Sequence, residues 1–338
     1  MKVLITGITG FVGSHLAEYI LNNHPDVDVL GLVRWRAPEE NIKDIKNKIQ
    51  LCSGDLTDLS SLKEVIGREQ PSIIFHLAAQ SYVDFSFLAP AMTLETNIIG
   101  TCHLLEAIRD LRGECGYDPI VHICSSSEVY GQVEPDETPI RETNPMRPAS
   151  PYAVSKVGED MLAYQYFKSW NIKTIRTRMF THTGPRQGDV FVTSTFAKQI
   201  AAIEAGITKE PVIRVGNLDS IRTFFDVRDA VRAYWILVHK CEPGEVYNIG
   251  GVETLTIQEM LYKLIYLSPR AHDIRIEIDP ARLRPSDVTR QILCADKFTQ
   301  ATGWKPEIPF DKTLEDILNY WRNYYALKKD NTLASRAE

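Results

Sequence analysis

Short runs of apolar and β-branched residues alternate with amphipathic stretches through about residue 180 of this 338-residue chain. In the stretches between the runs, apolar residues recur at helical intervals, notably over Val12–Asn22 and Thr93–Leu111, which predicts helices there. Such alternation implies parallel strands joined by helical crossovers, and so predicts a doubly wound α/β sheet. The predicted strands are Val3–Thr6, Val27–Val33, Ile49–Cys52, Ile73–His76, Ile120–Ser125 and Lys173–Arg178.

The pattern becomes less regular after Arg186. We predict a first domain from residues 1–186 plus about 225–250, a smaller discontinuous lobe from about 187–224 and 251–330, and a flexible polar tail at 331–338. A Pro- and Arg-rich stretch lies at Asp279–Pro285. The predicted elements of this part are helices at Val192–Ala205, from Asp226 through His239, at Ile257–Leu267 and near Asp311–Tyr325, and extended segments at Pro211–Val215 and Arg222–Asp226.

Composition and charge narrow the classes of partner. The chain is 44% hydrophobic, with a formal net charge of −6, and an acidic balance of this kind argues against nucleic acid or an anionic membrane as the main partner. No apolar run approaches the roughly eighteen residues of a spanning helix. The six cysteines form neither a CxxC pair nor a Cys/His cluster, so we expect no metal site, no disulfide framework and a cytoplasmic location.

A glycine-rich turn follows the first predicted strand directly. Gly7, Gly10 and Gly13 are spaced so that the chain can turn tightly, approach a pyrophosphate closely and pack the next helix against the strand. The dipole at the N-terminus of that helix, where Phe11 and Val12 lie, favours the same anion. The turn therefore predicts a dinucleotide site in a Rossmann-type domain, with a plain strand-to-helix turn as the alternative.

Three further strand ends extend this site. Where an acidic residue after the second strand would hold a ribose 2′-hydroxyl, the chain has Arg34 and Arg36, which favours a 2′-phosphate and hence NADP over NAD. A solvated basic loop is the alternative, and NAD then remains open. We also expect Asp55-Leu56 to bound an adenine pocket and Leu77-Ala78-Ala79 to pass the cofactor closely, although both are also ordinary strand ends.

Tyr152 and Lys156 stand four residues apart in the segment Pro151-Tyr152-Ala153-Val154-Ser155-Lys156. On a helix this spacing places the phenol and the ammonium on one face. The cation there stabilises the phenolate, so that the tyrosine comes closer to acting as a base near neutral pH. The same spacing occurs by chance in many helices, so the pair gains meaning only from its context.

That context resembles the extended short-chain dehydrogenase/reductase family over nearly the full length. The resemblance implies that Tyr152 removes or returns a hydroxyl proton, that Lys156 holds the nicotinamide ribose and lowers the pKa of the tyrosine, and that Ser126 hydrogen-bonds the reacting oxygen. It also disfavours a non-catalytic scaffold. The motifs that carry it are Gly7/Gly10/Gly13, Asp55-Leu56, His76-Leu77-Ala78-Ala79, Asn97-Ile98-Ile99-Gly100-Thr101, Ser125-Ser126-Ser127, Tyr152/Lys156 and Gly184-Pro185.

Within this family the second half looks most like GDP-mannose 4,6-dehydratases and GDP-4-keto-6-deoxymannose reductases, through residues 184–193, 216–222 and 279–288. The likeness implies a GDP-sugar substrate whose diphosphate Arg222 and Arg284 grip, since guanidinium forks suit phosphate oxygens. Surface ion pairing is the alternative for these arginines. The substrate ligands that it implies are Ser81, Thr181, Arg186, Val190, Asn217, Arg222, Arg284 and Asp287.

Glu128 separates the two reactions. A ketone reductase needs only hydride and proton transfer, whereas a 4,6-dehydratase must also remove the C5 proton and expel the C6 hydroxyl, which calls for a further acid/base side chain. Ser126-Ser127-Glu128 resembles the Thr-Ser-Glu run of the dehydratases, so we expect an NADP-dependent GDP-mannose 4,6-dehydratase. A reductase, an epimerase or 4-oxidase of another nucleotide sugar, and a structural role for this glutamate remain alternatives.

Two positions depart from the family pattern. Thr181 stands where the family usually has Asn, and Thr195 where the mannose dehydratases tend to have Lys. A modified GDP-hexose or a GDP-heptose is therefore an alternative substrate. In relatives, helices near Thr93–Leu111 and Tyr152–Lys168 form a four-helix dimer interface, so we expect a homodimer, or a homotetramer to which Arg34 and Arg36 contribute.

Overall fold

A seven-stranded parallel sheet organises the first half of the chain in the computed structural model, which describes residues 1–283 and 288–334. All six predicted strands are present, with ends that differ by at most one residue. The strands of the first half are β1 (Lys2–Thr6), β2 (Asp28–Val33), β3 (Gln50–Ser53), β4 (Ile73–His76), β5 (Ile120–Ser126) and β6 (Thr174–Met179), followed by β7 (Thr181–Thr183), β8 (Val212–Val215), β9 (Ile221–Asp226), β10 (Val246–Ile249), β11 (Glu253–Thr256), β12 (Arg275–Ile278) and β13 (Arg290–Gln291).

Helices cover both faces of this sheet, as the alternating pattern predicts. The helix expected at Thr93–Leu111 is interrupted by a π-helical turn at Glu95–Ile99, and the last helix is longer than expected. The helices are α1 (Phe11–Asn23), α2 (Leu59–Glu69), α3 (Val83–Leu88), α4 (Pro90–Leu94), α5 (Gly100–Cys115), α6 (Pro151–Trp170), α7 (Val192–Glu204), α8 (Val227–Lys240), α9 (Ile257–Tyr266), α10 (Asp296–Thr302) and α11 (Phe310–Ala334).

The strand order in the main sheet is β10-β6-β5-β4-β1-β2-β3. The order reverses direction between β1 and β4, which are neighbours through the register Val3↔Ile73 to Thr6↔His76. In doubly wound sheets the chain leaves these two strands toward opposite faces, so a crevice opens at their carboxyl ends. The architecture is a Rossmann-type α/β fold, and the predicted fold class is confirmed.

Separate apolar clusters form the core. One lies between the sheet and α1 and α8, and a second lies on the opposite face under α2, α5 and α6. A third joins α7, α9 and α11 and includes Phe224 and Trp321. Because both faces of the main sheet are covered, its inner strands are almost wholly buried, whereas only Cys52 is buried in the edge strand β3.

The second half adds smaller sheets above the crevice. β9 is the centre of one of them and pairs with β7, β11 and β13, while β8 pairs with β12. β10 returns to the edge of the main sheet beside β6, in the register Val246↔Arg176. The boundary between the two lobes stays a prediction, but this arrangement places β9 and β13 opposite the carboxyl ends of the parallel strands.

Candidate active site

A cavity of about 1060 Å³ lies at the carboxyl ends of the parallel strands, between the main sheet and the segments around β9. It joins most of the residues that the sequence predicts for the site. The predicted residues that line it are Gly7, Gly10, Phe11, Val12, Gly13, Arg34, Asp55, Leu56, Leu77, Ala78, Ala79, Ser81, Ser126, Glu128, Tyr152, Lys156, Thr181, Val190, Asn217 and Arg222.

The turn from β1 into α1 forms the floor of one end. Gly7 adopts a positive φ of 74°, and a Cβ on it would lie 2.9 Å from the backbone of Ala78. A Cβ on Gly13 would lie 2.2 Å from the carbonyl oxygen of Gly7, so only glycine lets helix and turn pack this closely. Among the described residues, no side chain caps α1 and none in its first turn is acidic. Its N-terminus therefore suits the pyrophosphate of a dinucleotide.

A buried hydrogen-bond chain fixes the neighbouring wall. The Thr6 hydroxyl oxygen accepts from the backbone nitrogens of Leu77 and Ala78, both at 3.1 Å, and lies 3.0 Å from His76 Nδ1. Because the hydroxyl oxygen already accepts two bonds, its single proton is donated to Nδ1. His76 Nε2 therefore carries the ring proton and donates it to Thr101 Oγ1 at 3.0 Å. Burial lowers the pKa of His76 to about 3, which keeps the ring neutral. The Leu77-Ala78 backbone is thus held against Gly7.

The segments that follow β2 and β3 differ in how they contact the cavity. Arg34 lines it, whereas the guanidinium of Arg36 stacks 4.2 Å from the ring centre of the exposed Trp35 and is not among the lining residues. Asp55 Oδ1 accepts from the backbone nitrogen and the hydroxyl of Thr57, at 2.9 and 2.8 Å, which orders the turn that presents Leu56. The Arg34 side chain is exposed, so it can reach a ligand group at the rim.

Tyr152 and Lys156 lie in the first two turns of α6. Ser150 caps this helix, because its hydroxyl accepts from the backbone nitrogen of Ala153 at 3.0 Å, and Pro151 suits the first helical position. Lys156 Nζ lies 5.9 Å from the centre of the Tyr152 ring and donates to the carbonyl oxygen of Cys124 at 2.9 Å. The cap and this bond to β5 turn the phenol and the ammonium toward the same cavity.

Burial dominates the acidity of the phenol. It raises the pKa of Tyr152 to about 12, although the Lys156 cation and a hydrogen bond with Ser126 act in the opposite direction. The expected influence of the lysine is therefore present, but in the protein alone it does not bring the net pKa below the ordinary value. Further positive charge beside the phenol is required before Tyr152 acts as a base near neutral pH.

Glu128 lies in a short 3₁₀ helix, Ser127–Tyr130, at the end of β5. The Ser126 hydroxyl accepts from the Glu128 backbone nitrogen at 3.2 Å and so caps this turn. Gln291 of β13 donates from Nε2 to Glu128 Oε1 at 3.2 Å and accepts from the Ser127 hydroxyl at 2.9 Å. A side chain from the second half of the chain thus holds the carboxylate on the cavity wall that also carries Ser126.

The opposite wall comes from the β7–β9 region. Thr181 pairs with Phe224 of β9, while Arg222 donates to the carbonyl oxygens of Ile221 and Val288 at 3.0 and 2.6 Å, which fixes its guanidinium at the cavity. Asn217 Oδ1 accepts from the Asp219 backbone nitrogen at 2.9 Å. This wall offers a cation and several neutral polar groups, a combination that suits a phosphate-bearing ligand.

Arg186 is placed differently from the other predicted ligands. It does not line the cavity; its guanidinium donates to both carboxylate oxygens of Glu18, at 2.8 and 2.7 Å, and to His15 Nδ1 at 2.7 Å. Burial and this guanidinium lower the pKa of His15 to about 4, so the ring stays neutral and can accept. Arg284 and Asp287 lie outside the described residues.

The structure adds contacts around the site that the sequence did not indicate. Gln291, on a two-residue strand, has no local signal. Asn97, in the π-helical turn, accepts from the Gln80 backbone nitrogen at 2.8 Å and donates to Ser155 Oγ at 2.8 Å, which ties the β4 end to α6. Glu159 Oε2 accepts from Lys156 Nζ at 2.9 Å; its position one turn after the lysine was a readable signal.

Across residues 1–283 and 288–334, no group of three or more His, Cys, Asp or Glu side chains is arranged to hold a metal ion. Over the same residues, no helix combines the length and the apolar character that crossing a membrane requires.

Known proteins with similar sequences include enzymes of two different reactions. The chain is 34% identical to the GDP-6-deoxy-D-mannose reductase of Pseudomonas aeruginosa over 324 residues, which cover 95% of this chain and 97% of the relative. It is 33% identical to a GDP-mannose 4,6-dehydratase of Vibrio cholerae over 353 residues, covering 94% and 92%. Overall similarity therefore does not choose between reduction and dehydration.

Solved structures agree with this relationship. The structure of RMD from Pseudomonas aeruginosa complexed with NADPH superposes with a TM-score of 0.81 at 32% identity, covering 96% of this chain and 99% of that one. The family model described as GDP-mannose 4,6 dehydratase matches residues 4–317. The chain therefore belongs to the GDP-mannose 4,6 dehydratase family of extended short-chain dehydrogenases/reductases.

Proposed function

We propose that this protein is an NADP-dependent GDP-sugar 4,6-dehydratase that converts GDP-mannose to GDP-4-keto-6-deoxymannose and water. The observation that carries the proposal is the Glu128 carboxylate, which Gln291 holds at 3.2 Å on the cavity wall beside Ser126. Hydride and proton transfer at C4 use Tyr152, Lys156 and Ser126. A carboxylate fixed in the same cavity supplies the additional acid/base group that elimination requires.

The cofactor side fits a dinucleotide. The uncapped N-terminus of α1 and the close approach of Gly7 to Ala78 suit a pyrophosphate, and Arg34 at the rim suits a 2′-phosphate, which is our reason for proposing NADP. The Pseudomonas relative was solved with NADPH, which agrees with this choice. NAD is the alternative if Arg34 serves only as a solvated rim residue.

The proposed proton transfers use this chain's own groups. Tyr152 Oη removes the proton of the 4-hydroxyl, Ser126 Oγ hydrogen-bonds that oxygen, and Lys156 Nζ stabilises the phenolate and binds the nicotinamide ribose. When bound, the oxidised nicotinamide supplies a hydride acceptor for C4, a source of hydride for C6 and a positive charge that favours the phenolate. That charge offsets part of the burial that raises the pKa of Tyr152.

Elimination follows from the acidity that a 4-keto group gives to the C5 hydrogen. Glu128 removes the C5 proton and delivers it to the departing 6-hydroxyl, which leaves as water. After hydride reaches C6, C5 takes up one proton, which balances the proton that Tyr152 removed from O4. Atoms and electrons then balance with no net consumption of cofactor.

Direct assay of purified protein tests the proposal. With GDP-mannose and catalytic NADP we expect a 4-keto-6-deoxy product by mass spectrometry and NMR, no net absorbance change at the reduced-nicotinamide wavelength, and solvent deuterium at C5 in heavy water. GDP-heptoses and modified GDP-hexoses should be assayed in parallel, because Thr181 and Thr195 depart from the family pattern. Absence of a 4-keto-6-deoxy product from all of them would rule out a dehydratase.

A GDP-4-keto-6-deoxy-sugar reductase is the second candidate, favoured by the 34% identity to the Pseudomonas reductase. Such an enzyme consumes one NADPH per GDP-4-keto-6-deoxymannose and leaves GDP-mannose unchanged. The same absorbance assay, run with the keto sugar and NADPH, separates the two reactions. An epimerase or 4-oxidase would instead isomerise or oxidise its sugar without losing water.

The oligomeric state stays a prediction. We propose a homodimer through the helices around α4 to α6, or a homotetramer built from two such dimers. Large apolar side chains of these helices are exposed on the single chain and suit a buried partner surface. They are Met92, Ile99, Val154, Met161, Tyr164 and Trp170.

A further inference from the structure

A carboxylate that none of the proposed steps uses lies directly beside the active-site lysine. Glu159 and Lys156 are one turn apart on α6 and are 1% and 5% exposed. Lys156 Nζ donates to Glu159 Oε2 and to the Cys124 carbonyl oxygen, both at 2.9 Å. Glu159 Oε1 is buried and has no hydrogen-bond partner in the part of the chain that the structure describes. The carboxylate is therefore held by the lysine more than by its other surroundings.

Stability alone is a weak reason for this pair. Two charges lose their hydration when they are buried, and this penalty offsets most or all of their attraction. A half-satisfied carboxylate adds a further cost. Lys156 lines the cavity, so an effect of Glu159 on the position and charge of this lysine explains the buried pair better than a contribution to the free energy of folding does.

We propose that Glu159 is a positioning residue that acts through Lys156: it fixes the ammonium against β5 and offsets its charge beside Tyr152. The inference rests on the proposed function, in which Tyr152 is the base and Lys156 its cation. An ammonium has three donors. Glu159 and the Cys124 carbonyl take two, which leaves one donor for the cavity that Lys156 also lines.

Several elements present titratable groups to this pair. Burial lowers the pKa of His76 and of His122 to about 3 and raises the pKa of the Cys124 thiol and of Tyr234. These four groups therefore stay neutral near pH 7. Asp160 is engaged by Arg176 and Arg178 of β6, at 2.8 Å each. The groups are Tyr152 and Asp160 on α6, His76 on β4, His122 and Cys124 on β5, and Tyr234 on α8.

The sign of the effect follows from the charges. Burial raises the pKa of Tyr152, Lys156 lowers it, and the Glu159 anion raises it again. Removing the anion leaves the lysine charge uncompensated, so the pKa of Tyr152 falls. Because the phenolate is the active base, its loss on acidification then occurs at lower pH. Burial raises the pKa of Glu159 itself to about 7, against the opposing Lys156 cation, so this offset weakens as pH falls through neutrality.

Glu159→Gln tests the inference, since glutamine keeps the length and an oxygen that can accept from Lys156. We expect the acid limb of kcat/KM against pH to move about one unit lower. We also expect the dissociation constant for NADP⁺ to rise by about tenfold relative to that for NADPH, because the oxidised ring then faces an uncompensated ammonium. This second result is a binding measurement and needs no turnover.

Asp160→Asn is the matched control. It removes the next carboxylate of α6, equally buried but paired with Arg176 and Arg178, so it shares any loss of stability without changing the charge at Lys156. We expect its pH profile and its NADP⁺/NADPH affinity ratio to match the wild type. If Glu159→Gln lowers the melting temperature but leaves both quantities unchanged, Glu159 is merely structural and the inference is wrong.

The remaining outcomes are also decisive. A wild-type protein that turns over no GDP-sugar contradicts the proposed function, while the affinity ratio of Glu159→Gln still tests the inference. If that variant does not fold, Glu159→Asp takes its place: it keeps the charge but shortens the reach. We then expect both cofactors to bind more weakly with an unchanged ratio, and unchanged affinity for both overturns the positioning role.

Discussion

The two walls of the cavity are built in different ways. The wall assigned to the cofactor consists of segments that each directly follow a strand of one parallel sheet, from the Gly7 turn to Ser126. The wall assigned to the substrate combines β7, β9 and β13, and one of its links, from Ser127 to Gln291, joins residues 164 positions apart. The structure of the first wall is encoded by local sequence, whereas the second wall depends on contacts between segments that are far apart in the chain.

This difference bears on what each wall decides. Local turns fix a backbone surface that suits any dinucleotide of the right charge. The reaction, in contrast, is proposed to depend on Glu128, which belongs to the first wall by sequence and is held by Gln291 of the second. The choice between dehydration and reduction then lies where the walls meet.

The largest expected effect on activity comes from a change at the junction of the two walls, the contact between Glu128 and Gln291. Glu128→Gln keeps the contact with Gln291 but cannot accept the C5 proton, so we expect water loss from GDP-mannose to slow by about 10²- to 10⁴-fold. Oxidation at C4 does not need this group, and enzyme-bound reduced nicotinamide should therefore accumulate after mixing. Stopped-flow absorbance together with product analysis measures both effects.

Asp136→Asn is the control for this variant, because Asp136 is an exposed carboxylate of the same post-β5 region and does not line the cavity. Its rates should equal those of the wild type. If Glu128→Gln instead reduces GDP-4-keto-6-deoxymannose with NADPH at a nearly unchanged rate and the wild type never dehydrates GDP-mannose, the junction does not select the reaction and the reductase assignment replaces ours.

The second effect concerns the rim of the locally encoded wall. Arg34→Ala removes a charged donor from the cavity, so we expect the dissociation constant for NADPH to rise by about 10- to 100-fold, with little change for NADH. Arg36→Ala serves as the matched control, since its guanidinium stacks on Trp35 and does not line the cavity. Fluorescence titration of both cofactors suffices. An equal loss for NADPH and NADH in Arg34→Ala contradicts recognition of a 2′-phosphate.

The same contrast explains what the sequence could predict. The six strands follow from local apolar runs, and Gly7, Gly10 and Gly13 follow a strand at a fixed distance. The π-helical turn at Glu95–Ile99 was not predictable, because Asn97 makes its bonds to Gln80 and Ser155 only in the folded chain. The position of Gln291 was not predictable either, because a strand of two residues leaves no periodic pattern in the sequence.

Arg186 shows that a motif in the sequence does not fix what its side chain contacts. The letters Gly184-Pro185-Arg186 resemble a family motif, and the side chain was expected to bind substrate. Its partner Glu18, 168 residues earlier, cannot be read from the motif. The distance to a charged partner in the folded chain determines which ligand an arginine meets, and the local sequence does not contain that distance.

The smallest functional effect is therefore expected at Arg186. Arg186→Ala removes the two bonds to Glu18, the bond to His15 Nδ1 and the bond to the Asn41 carbonyl oxygen, and we expect the free energy of unfolding to fall by about 1–3 kcal/mol, since these acceptors are partly buried. KM for the GDP-sugar should stay within about twofold, because the side chain does not line the cavity. Denaturant titration and steady-state kinetics measure the two quantities.

Arg222→Ala provides the opposite control, because Arg222 lines the cavity on the β9 wall. Loss of the charge-assisted contact that we propose there with a substrate phosphate should raise KM by about 10- to 100-fold. If Arg186→Ala raised KM as much as Arg222→Ala and left stability unchanged, the ion pair with Glu18 would have to open when substrate binds. Helix α1, which carries Glu18 and His15, would then belong functionally to both walls, and the contrast between a locally encoded cofactor wall and a long-range substrate wall would fail at that point.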